Sequence, residues 1–329
     1  MFFQQLVSAA KNILRDTIKT SIALFKIIIP LSIITKILTD AGVTDYLGQM
    51  LAPLMQLLGL PGSMGLVWAT AMVTNIYGGI TVFAALAPEA GLTVAQVTVL
   101  TTMMLVAHSL PVEVRITQVA GLRLWTMLTL RISCALVLGW LLYHIYTWGG
   151  FLQTPNEALW SPPLRDPSWP GWAQAEIKNL ATIFLIILGL IFLLRLLAWL
   201  KIINLLEILL EPILTRLGMS RAAAPTTIIG MILGLSYGGG LIIQEAHSGR
   251  LGKHNVFFSL ALLSICHSII EDGLLMALLG GDLSGVLWAR VGFALLVIFL
   301  LVKIVRRLPE ATFDRWFLRR SFAVEGNKA

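Results

Sequence analysis

Two stretches of the chain follow one pattern: AHSLPVE at residues 107–113 and CHSIIED at residues 266–272. In each stretch an apolar run ends at a His-Ser pair, and a carboxylate follows five residues after the histidine. Pro111 breaks a helix that would otherwise run through the first stretch. Apolar sequence on both sides of a polar interruption predicts a broken helix or a re-entrant hairpin in a membrane, where unwound backbone needs a protein-lined or wet cavity.

The two stretches belong to a longer repeat with a displacement of 159 to 160 residues. Tyr77-Gly78-Gly79 recurs as Tyr237-Gly238-Gly239. The other matches pair Leu51-Ala52-Pro53 with Leu210-Glu211-Pro212, Glu113 with Asp272, Gly121 with Gly280, and Arg131 with Arg290. Because the matches keep one order over most of each half, they indicate a duplication.

The composition sets the class of protein. Of 329 residues, 57% are hydrophobic and 12% are charged, whereas a soluble domain has about 25% charged residues. This excludes a soluble globular enzyme, a disordered protein and a nucleic-acid module. Apolar segments of membrane-spanning length predict an all-α polytopic membrane protein. The two cysteines, Cys134 and Cys266, lie in apolar runs and form no disulfide framework.

The distribution of Lys and Arg predicts the orientation of the chain in the membrane. Basic residues cluster at both termini, which should therefore be cytoplasmic, whereas the middle loop has few and should face outward. Each half then crosses the membrane an odd number of times, either as five spans or as three spans with a re-entrant hairpin. An odd number places the two repeats in opposite orientations, so the predicted fold has two inverted-topology repeats.

The chain divides into five predicted parts. They are an interfacial amphipathic helix (1–18), a first membrane repeat (19–147), a Pro/Trp-rich external loop (148–177), a second membrane repeat (178–305) and a basic cytoplasmic tail (306–329). Residues 1–18 could equally be the solvated start of the first span.

The repeated ionisable residues are the candidates for function, because such groups inside a membrane are costly and usually functional. Histidine changes charge near physiological pH, which predicts coupling to protons. The candidate proton-coupling residues are His108, His267, Glu113, Asp272 and Glu271. The alternative is that these residues lie in ordinary surface loops.

Arg131 and Arg290 each lie several residues inside an apolar helix. Each could pair with the carboxylate of its own half, Glu113 or Asp272. Each could instead snorkel to the membrane surface, or bind an anionic solute through forked hydrogen bonds. The further candidate substrate-binding residues are Ser109, Ser268, Tyr77, Tyr237 and Asn75, with both histidines.

Glycine pairs predict where the helices unwind. Glycine permits backbone conformations that break a helix, so the predicted breaks are Gly78, Gly79, Gly238 and Gly239, with Pro111. The alternative is close helix packing through small residues.

The sequence predicts no metal site, no cofactor and no enzymatic activity. The histidines and carboxylates of the two halves would suit a transition metal if they met, but no H-x-x-x-H or C-x-x-C spacing is present. No G-x-S-x-G, P-loop or HExxH motif occurs. Ser109 and Ser268 adjoin histidines, but adjacent side chains on a helix diverge.

The duplicated unit resembles the nucleoside-recognition, or Gate, domain family of bacterial membrane proteins. The resemblance lies in residues 59–79 with 108–121, and in residues 218–240 with 267–280. Related families include the spore maturation proteins A and B and the membrane part of the ferrous-iron transporter. Gate segments of that transporter carry a cysteine in the Gly motif, and Tyr77-Gly78-Gly79 has none. The resemblance implies a multi-pass protein of the bacterial inner membrane.

These observations predict a proton-coupled secondary transporter for a small anionic or nucleoside-like solute, with its site at the midplane between the repeats. One alternative is a flippase of a lipid phosphate. Another is a non-transporting scaffold for a partner complex, in which Arg131 and Arg290 would face lipid. The expected partners are the bilayer and either an anionic solute or a lipid phosphate, with no nucleic acid. Whether the protein forms a homo-oligomer is left open.

Overall fold

A computed structural model describes residues 2–157 and 168–319 of the chain. The first half consists of α1 (Phe2–Asp40), α2 (Val43–Gln56), α3 (Ser63–Val73), α4 (Ile76–Ala90), α5 (Val94–Val106), α6 (Leu110–Val119) and α7 (Leu124–Gly149). The second half consists of α8 (Trp169–Trp199), α9 (Ile202–Arg216), α10 (Ala224–Leu233), α11 (Leu235–His247), α12 (Lys253–Ile265), α13 (Glu271–Leu278), a π-helical turn (Ser284–Ala289), α14 (Arg290–Val305) and α15 (Glu310–Phe317).

Five helical segments of the described residues are long and apolar enough to cross a membrane, which takes about 20 residues. They are Lys11–Asp40, Val94–Val119, Leu124–Gly149, Trp169–Trp199 and Ser284–Val305. The described residues contain no β-strand beyond isolated bridges. The predicted all-α polytopic membrane fold is therefore confirmed.

In each half, two helices too short to cross singly pack against each other. α3 has 11 residues and α4 has 15, lengths of about 17 and 23 Å against a hydrocarbon core of about 30 Å. α10 packs against α11 in the same way. The chain breaks between α3 and α4 at Thr74–Asn75, where the Asn75 side chain accepts a hydrogen bond from the Gly78 amide at 2.9 Å.

The predicted breaks at the glycine pairs are corrected by these boundaries. Gly78 and Gly79 lie inside α4, and Gly238 and Gly239 lie inside α11. Helix α4 starts earlier because Asn75 is a good N-cap. In the second half the break falls on Gly234, which has a φ of +99° that few other residues adopt.

The break before Pro111 lies where the sequence predicts it. α5 ends at Val106 and α6 begins at Leu110, so Pro111 sits in the first turn of α6, where its missing N–H costs nothing. Ser109 has a left-handed φ of 47°, and its amide donates to Ala71 of α3 at 2.9 Å. Neighbouring protein thus satisfies the unwound backbone, as a membrane interior requires.

The same local structure recurs between α12 and α13. Ser268 also has a φ of 47°, and the Ile269 amide donates to Met231 of α10 at 2.9 Å. Gly121 and Gly280, at the turns after α6 and α13, both have a φ of 97°. These features agree with a duplicated unit, while the duplication itself and the inverted orientation of the two copies stay predictions.

The segment that follows the last membrane helix of each half contacts the other half. Asn156 lies beyond α7, and its side chain donates to the Leu279 carbonyl at 3.1 Å beside Gly280. Arg319 lies beyond α14 and α15, and its amide donates to the Gly121 carbonyl at 2.9 Å. We call residues 152–156 the first strap and residues 310–319 the second strap. One hydrophobic core extends through both halves.

Two boundaries differ from the predicted parts. α1 is one helix from Phe2 to Asp40, so residues 1–18 are not separated from the first span. α8 begins at Trp169, nine residues before the predicted start of the second repeat, because Ser168 caps it and Pro170 fits its first turn. Residues 158–167 of the predicted loop and 320–329 of the tail lie outside the described residues.

Candidate functional site

The two repeated histidines meet in the interior of the protein. The ring centroids of His108 and His267 are 5.2 Å apart, at an interplanar angle of 50°. His108 Nε2 lies 3.3 Å and His267 Nε2 lies 3.2 Å from one atom, Oε1 of Glu113. Asp272 Oδ2 is 3.9 Å from His108 Nε2. All four side chains are buried, so residues 159 positions apart in the sequence form one cluster. We call them the His–carboxylate cluster.

The broken helices fix the orientation of both rings. His108 Nδ1 is 2.8 Å from the carbonyl of Met104, four residues earlier on α5. His267 Nδ1 is 2.7 Å from the carbonyl of Leu263 on α12. A carbonyl oxygen only accepts, so each Nδ1 carries a hydrogen, and each Nε2 of a neutral ring presents a lone pair. Both lone pairs face the cluster.

Glu113 joins the two halves. It lies in the first turn of α6, and its Oε2 accepts from Nη1 of Arg131. Its Oε1 faces both Nε2 atoms. Three acceptor atoms therefore converge with no donor hydrogen between them when the rings are neutral and the carboxylate is ionised. Such a group of atoms is complementary to a cation or a proton.

Both buried arginines face the protein interior. Arg131 is 0% and Arg290 is 1% exposed, so neither snorkels to a membrane surface. Arg131 Nε donates to the Val106 carbonyl at 3.0 Å, and its Nη1 pairs with Glu113 as the sequence analysis proposed. Arg290 instead donates to the carbonyls of Ile265 at 3.4 Å and His267 at 2.5 Å. The described residues contain no ion pair between Arg290 and Asp272.

One nitrogen of each guanidinium is buried without a hydrogen-bond partner. These atoms are Arg131 Nη2 and Arg290 Nη1. Leaving a charged donor unpaired away from water is costly, so such atoms in a native protein call for a specific reason. An anionic group that accepts from them would supply one.

The other predicted residues have mainly structural positions. Ser109 and Ser268 form the left-handed turns of the broken helices. The Asn75 side chain caps α4, and Tyr77 packs partly buried on the same helix. Glu271 is half-buried in the first turn of α13, beside Asp272. The side chain of Tyr237 lies outside the described residues.

The glycines allow close packing of helices. A β-carbon on Gly238 would collide with the backbone of Gly230 on α10. A β-carbon on Gly79 would meet side-chain atoms of Ala71 and Met104 at 2.7 Å. These contacts fit the alternative of packing through small residues.

Sequence reasoning missed the backbone acceptors of the cluster. The carbonyls of Met104 and Val106 lie in the last turn of α5, and those of Leu263 and Ile265 lie in the last turn of α12. The last four carbonyls of a helix have no intrahelical donor. They accept from the rings and guanidinium groups. A histidine just after the end of a helix indicates such a hydrogen bond, because the carbonyl four residues before it lacks its usual helical donor.

Comparisons with known proteins agree with the sequence analysis. Residues 21–124 match the Gate family model, described as nucleoside recognition. The chain is 29% identical over 287 residues to the uncharacterised membrane protein YvoD of Bacillus subtilis (strain 168). That similarity covers 85% of this chain and 89% of YvoD. No solved structure matches the chain.

The Gate match includes α3 to α6, and hence His108 and Glu113 with the break between them. The YvoD similarity extends over most of both halves, and YvoD is described as a membrane protein. The chain is thus a multi-pass membrane protein, and its residues 21–124 match the Gate, or nucleoside-recognition, family model.

Proposed function

We propose that this protein is a secondary membrane transporter whose site is the His–carboxylate cluster with Arg131 and Arg290. One observation carries the proposal: the four buried side chains of the His–carboxylate cluster come from both halves of a protein that is otherwise poor in charge. Arg131 pairs with Glu113 of this cluster, and Arg290 donates to the backbone carbonyl of His267. Buried ionisable groups inside membrane proteins usually mark the path of a solute or ion. The Gate domain supports a transport-related role.

The solute of this proposal is a small anion or a nucleoside-like molecule. An anionic solute is favoured by the unpaired Arg131 Nη2 and Arg290 Nη1, because guanidinium groups bind carboxylate and phosphate through paired hydrogen bonds. The nucleoside-like alternative is supported by the family description of residues 21–124. The same cluster would recognise either solute.

The coupling ion of this proposal is a proton. Each ring Nε2 and Glu113 Oε1 are both acceptors, so a proton between them would convert their contact into a hydrogen bond. The Nε2–Oε1 distances of 3.3 Å for His108 and 3.2 Å for His267 are short enough for such a bond. Both rings face one carboxylate oxygen, and a proton on His267 would join the second half to Glu113 of the first. Uptake should therefore depend on a proton gradient.

The membrane arrangement of this proposal follows the basic residues. Both termini lie on the cytoplasmic side of a bacterial inner membrane, and the segment between α7 and α8 lies on the opposite side. The inverted repeats would then rock about a site near the midplane, as in other transporters with this symmetry. Homo-oligomers are compatible with the proposal.

A lipid phosphate is the second candidate solute, and one observation favours it. A cleft of about 620 Å³ lies among α9, α12 and the second strap, away from the cluster. Its lining includes Arg216, Arg306 and His254. Basic side chains at a membrane boundary bind lipid phosphates. The scaffold alternative is less favoured, because it requires lipid-facing arginines and both are buried.

An enzymatic role is not part of the proposal. Among the described residues, the charged side chains that contact the two rings are the carboxylates of Glu113 and Asp272, which form no pair of the Ser-His type. The rings instead hold fixed tautomers that suit binding.

The test uses the full chain reconstituted in proteoliposomes with an imposed proton gradient. Labelled carboxylates, phosphates and nucleosides are offered one at a time, and uptake is measured against internal and external pH. The double variant His108→Asn/His267→Asn should lose uptake, whereas His144→Asn on α7 should keep it. Uptake with unchanged pH dependence in the double variant would show that the proposal is wrong.

A further inference from the structure

We propose that the His–carboxylate cluster binds one divalent transition-metal ion. The ligands are His108 Nε2, His267 Nε2 and Glu113 Oε1, with Asp272 Oδ2 as the fourth. The first three atoms all lie within 4.8 Å of one another, and all three residues are buried. The ion would occupy the place between the acceptors that the proposed function gives to a proton.

The distances between the ligand atoms fit a tetrahedral site. Zinc binds imidazole nitrogen and carboxylate oxygen at about 2.0–2.2 Å, so neighbouring ligands at tetrahedral angles are about 3.3–3.6 Å apart. The two Nε2 atoms lie 3.3 and 3.2 Å from Glu113 Oε1. Asp272 Oδ2 is 3.9 Å from His108 Nε2 and lies outside the group of three, so it would have to move toward the other ligands to complete the set.

The surrounding hydrogen bonds are those of a metal site. A metal-bound histidine usually donates its other ring N–H to a carbonyl or carboxylate, which fixes the ring and the tautomer. Both rings do so here, to Met104 and Leu263. A ligating carboxylate is usually held through its second oxygen, and Arg131 holds Glu113 in this way.

The ligand types select the class of ion. Two imidazoles with carboxylates suit Zn²⁺ and other divalent first-row ions, whereas Ca²⁺ and Mg²⁺ prefer oxygen ligands alone. The described residues bring no thiol to the cluster: Cys266 precedes His267 but is not among the converging groups. Zinc is therefore the reference ion.

The charges around the cluster link this ion to the solute. Glu113 and Asp272 are matched in number by Arg131 and Arg290, so a dication adds uncompensated positive charge. An anion bound at the unpaired Arg131 Nη2 and Arg290 Nη1 would offset it. Metal and anion should therefore bind together more tightly than either alone. This link rests on the proposed function, whereas metal binding itself rests on the ligand geometry alone.

The test measures metal binding directly on the purified full chain in detergent micelles. Zn²⁺ binding is followed by calorimetry, and Co²⁺ is used as a second probe because its visible absorption reports tetrahedral ligands. We expect one ion per chain. Substitution His108→Asn or His267→Asn keeps a donor near the Nδ1 position and removes Nε2, so each should weaken Zn²⁺ binding by about 100-fold or more.

The matched control is His144→Asn, which should leave Zn²⁺ binding unchanged because His144 packs against Trp140 and Trp148 outside the cluster. Circular dichroism and gel filtration confirm that each variant is folded. No stoichiometric binding by the native chain, or binding that survives both cluster substitutions, would overturn the metal site.

The outcome separates the metal site from the transport proposal. Uptake that persists after chelation, in a chain that binds no Zn²⁺, overturns the metal site and leaves transport standing. Zn²⁺ binding in a chain that takes up none of the solutes supports the site and counts against transport.

Discussion

The two halves place the same residues around one centre but engage them differently. In the first half, Arg131 pairs with the carboxylate of Glu113, which faces both histidines. In the second half, Arg290 donates to backbone carbonyls, and Asp272 lies 3.9 Å from His108. One half therefore supplies the anion that organises the cluster. The other supplies a ring and a less engaged carboxylate.

Two local differences account for this asymmetry. Asp272 is one methylene shorter than Glu113, so its carboxylate ends nearer the backbone of α13. A π-helical turn at Ser284–Ala289 directly precedes Arg290, whereas α7 is regular around Arg131. Such turns are rare and are frequently found at functional sites. Two halves with the same residues at matching positions can thus take different contacts.

The largest expected effect compares the two arginines. Arg131→Met leaves the Glu113 carboxylate buried without its partner, which should reduce the free energy of unfolding by about 3–5 kcal/mol. Arg290→Met leaves only carbonyls unpaired, at a cost of about 1–3 kcal/mol. Unfolding by SDS titration in mixed micelles measures both. Equal losses would mean that the two guanidinium groups are equivalent.

A double variant checks the physical cause of that difference. If the loss in Arg131→Met comes from an unpaired carboxylate, adding Glu113→Gln should restore part of the stability, because a buried amide costs less than a buried charge. The expected result is a double variant more stable than Arg131→Met alone. A further loss of stability would point to packing around Arg131 instead.

The second prediction compares the two carboxylates in transport. Glu113→Asp draws the carboxylate back by one methylene from both rings, and a displacement of about 1 Å can reduce the rate by about 100-fold. Asp272→Asn removes a charge that contacts one ring at 3.9 Å, so uptake should fall only a few-fold. Initial uptake rates in proteoliposomes measure both. A stronger effect of Asp272→Asn would reverse the assigned roles.

The third prediction compares the glycines at the helix pairs. Gly238→Ala sets a methyl group against the backbone of Gly230, which cannot move away easily, and should cost about 1–3 kcal/mol. Gly79→Ala meets the Ala71 β-carbon and the flexible end of Met104 at 2.7 Å, a milder overlap than the 2.2 Å at Gly230, and should cost less. Thermal unfolding in detergent ranks the two variants. The opposite ranking would contradict the close contact of α10 with α11.

The sequence predicts the broken helices well, because the His-Ser pairs interrupt apolar runs in both halves. It places the other breaks wrongly. Glycine allows unwinding without causing it, and the N-cap of Asn75 and the positive φ of Gly234 set the actual boundaries. Whether Arg131 pairs with Glu113 or extends to the membrane surface depends on the burial of its side chain. Apolar neighbours in the sequence do not determine that burial.

Local sequence motifs do not reveal the ligands of the His–carboxylate cluster. His108 and His267 are far apart in the chain, and neither half alone provides metal-type spacing. Their meeting depends on how the halves pack, and the only signal for it is the recurrence of the motif. The same holds for the unequal arginine contacts, since identical residues at matching positions give no hint of a π-helical turn.

The smallest expected effect compares the two straps. The first strap is held by uncharged groups, such as the Asn156 amide that donates to the Leu92 carbonyl at 2.8 Å. The second strap includes an ion pair between Lys253 and Glu310, with Nζ to Oε2 at 2.7 Å. The hydrogen bond from Lys253 lowers the pKa of Glu310 below its usual value.

A carboxyl whose pKa is lower in the folded state stabilises that state above its unfolded pKa, which is about 4.3 for Glu. The stabilisation is lost as the pH falls through the folded value, so the second strap should loosen below about pH 4 while the first does not. Glu310 is largely exposed, so the effect is small.

Hydrogen exchange of the Arg319 and Asn156 amides, corrected for intrinsic rates, measures this loosening of the second strap. Glu310→Gln should reduce the difference between the straps, because it removes one of the two carboxylates that hold Lys253. Equal acid sensitivity of both straps would show that the ion pair does not hold the second one.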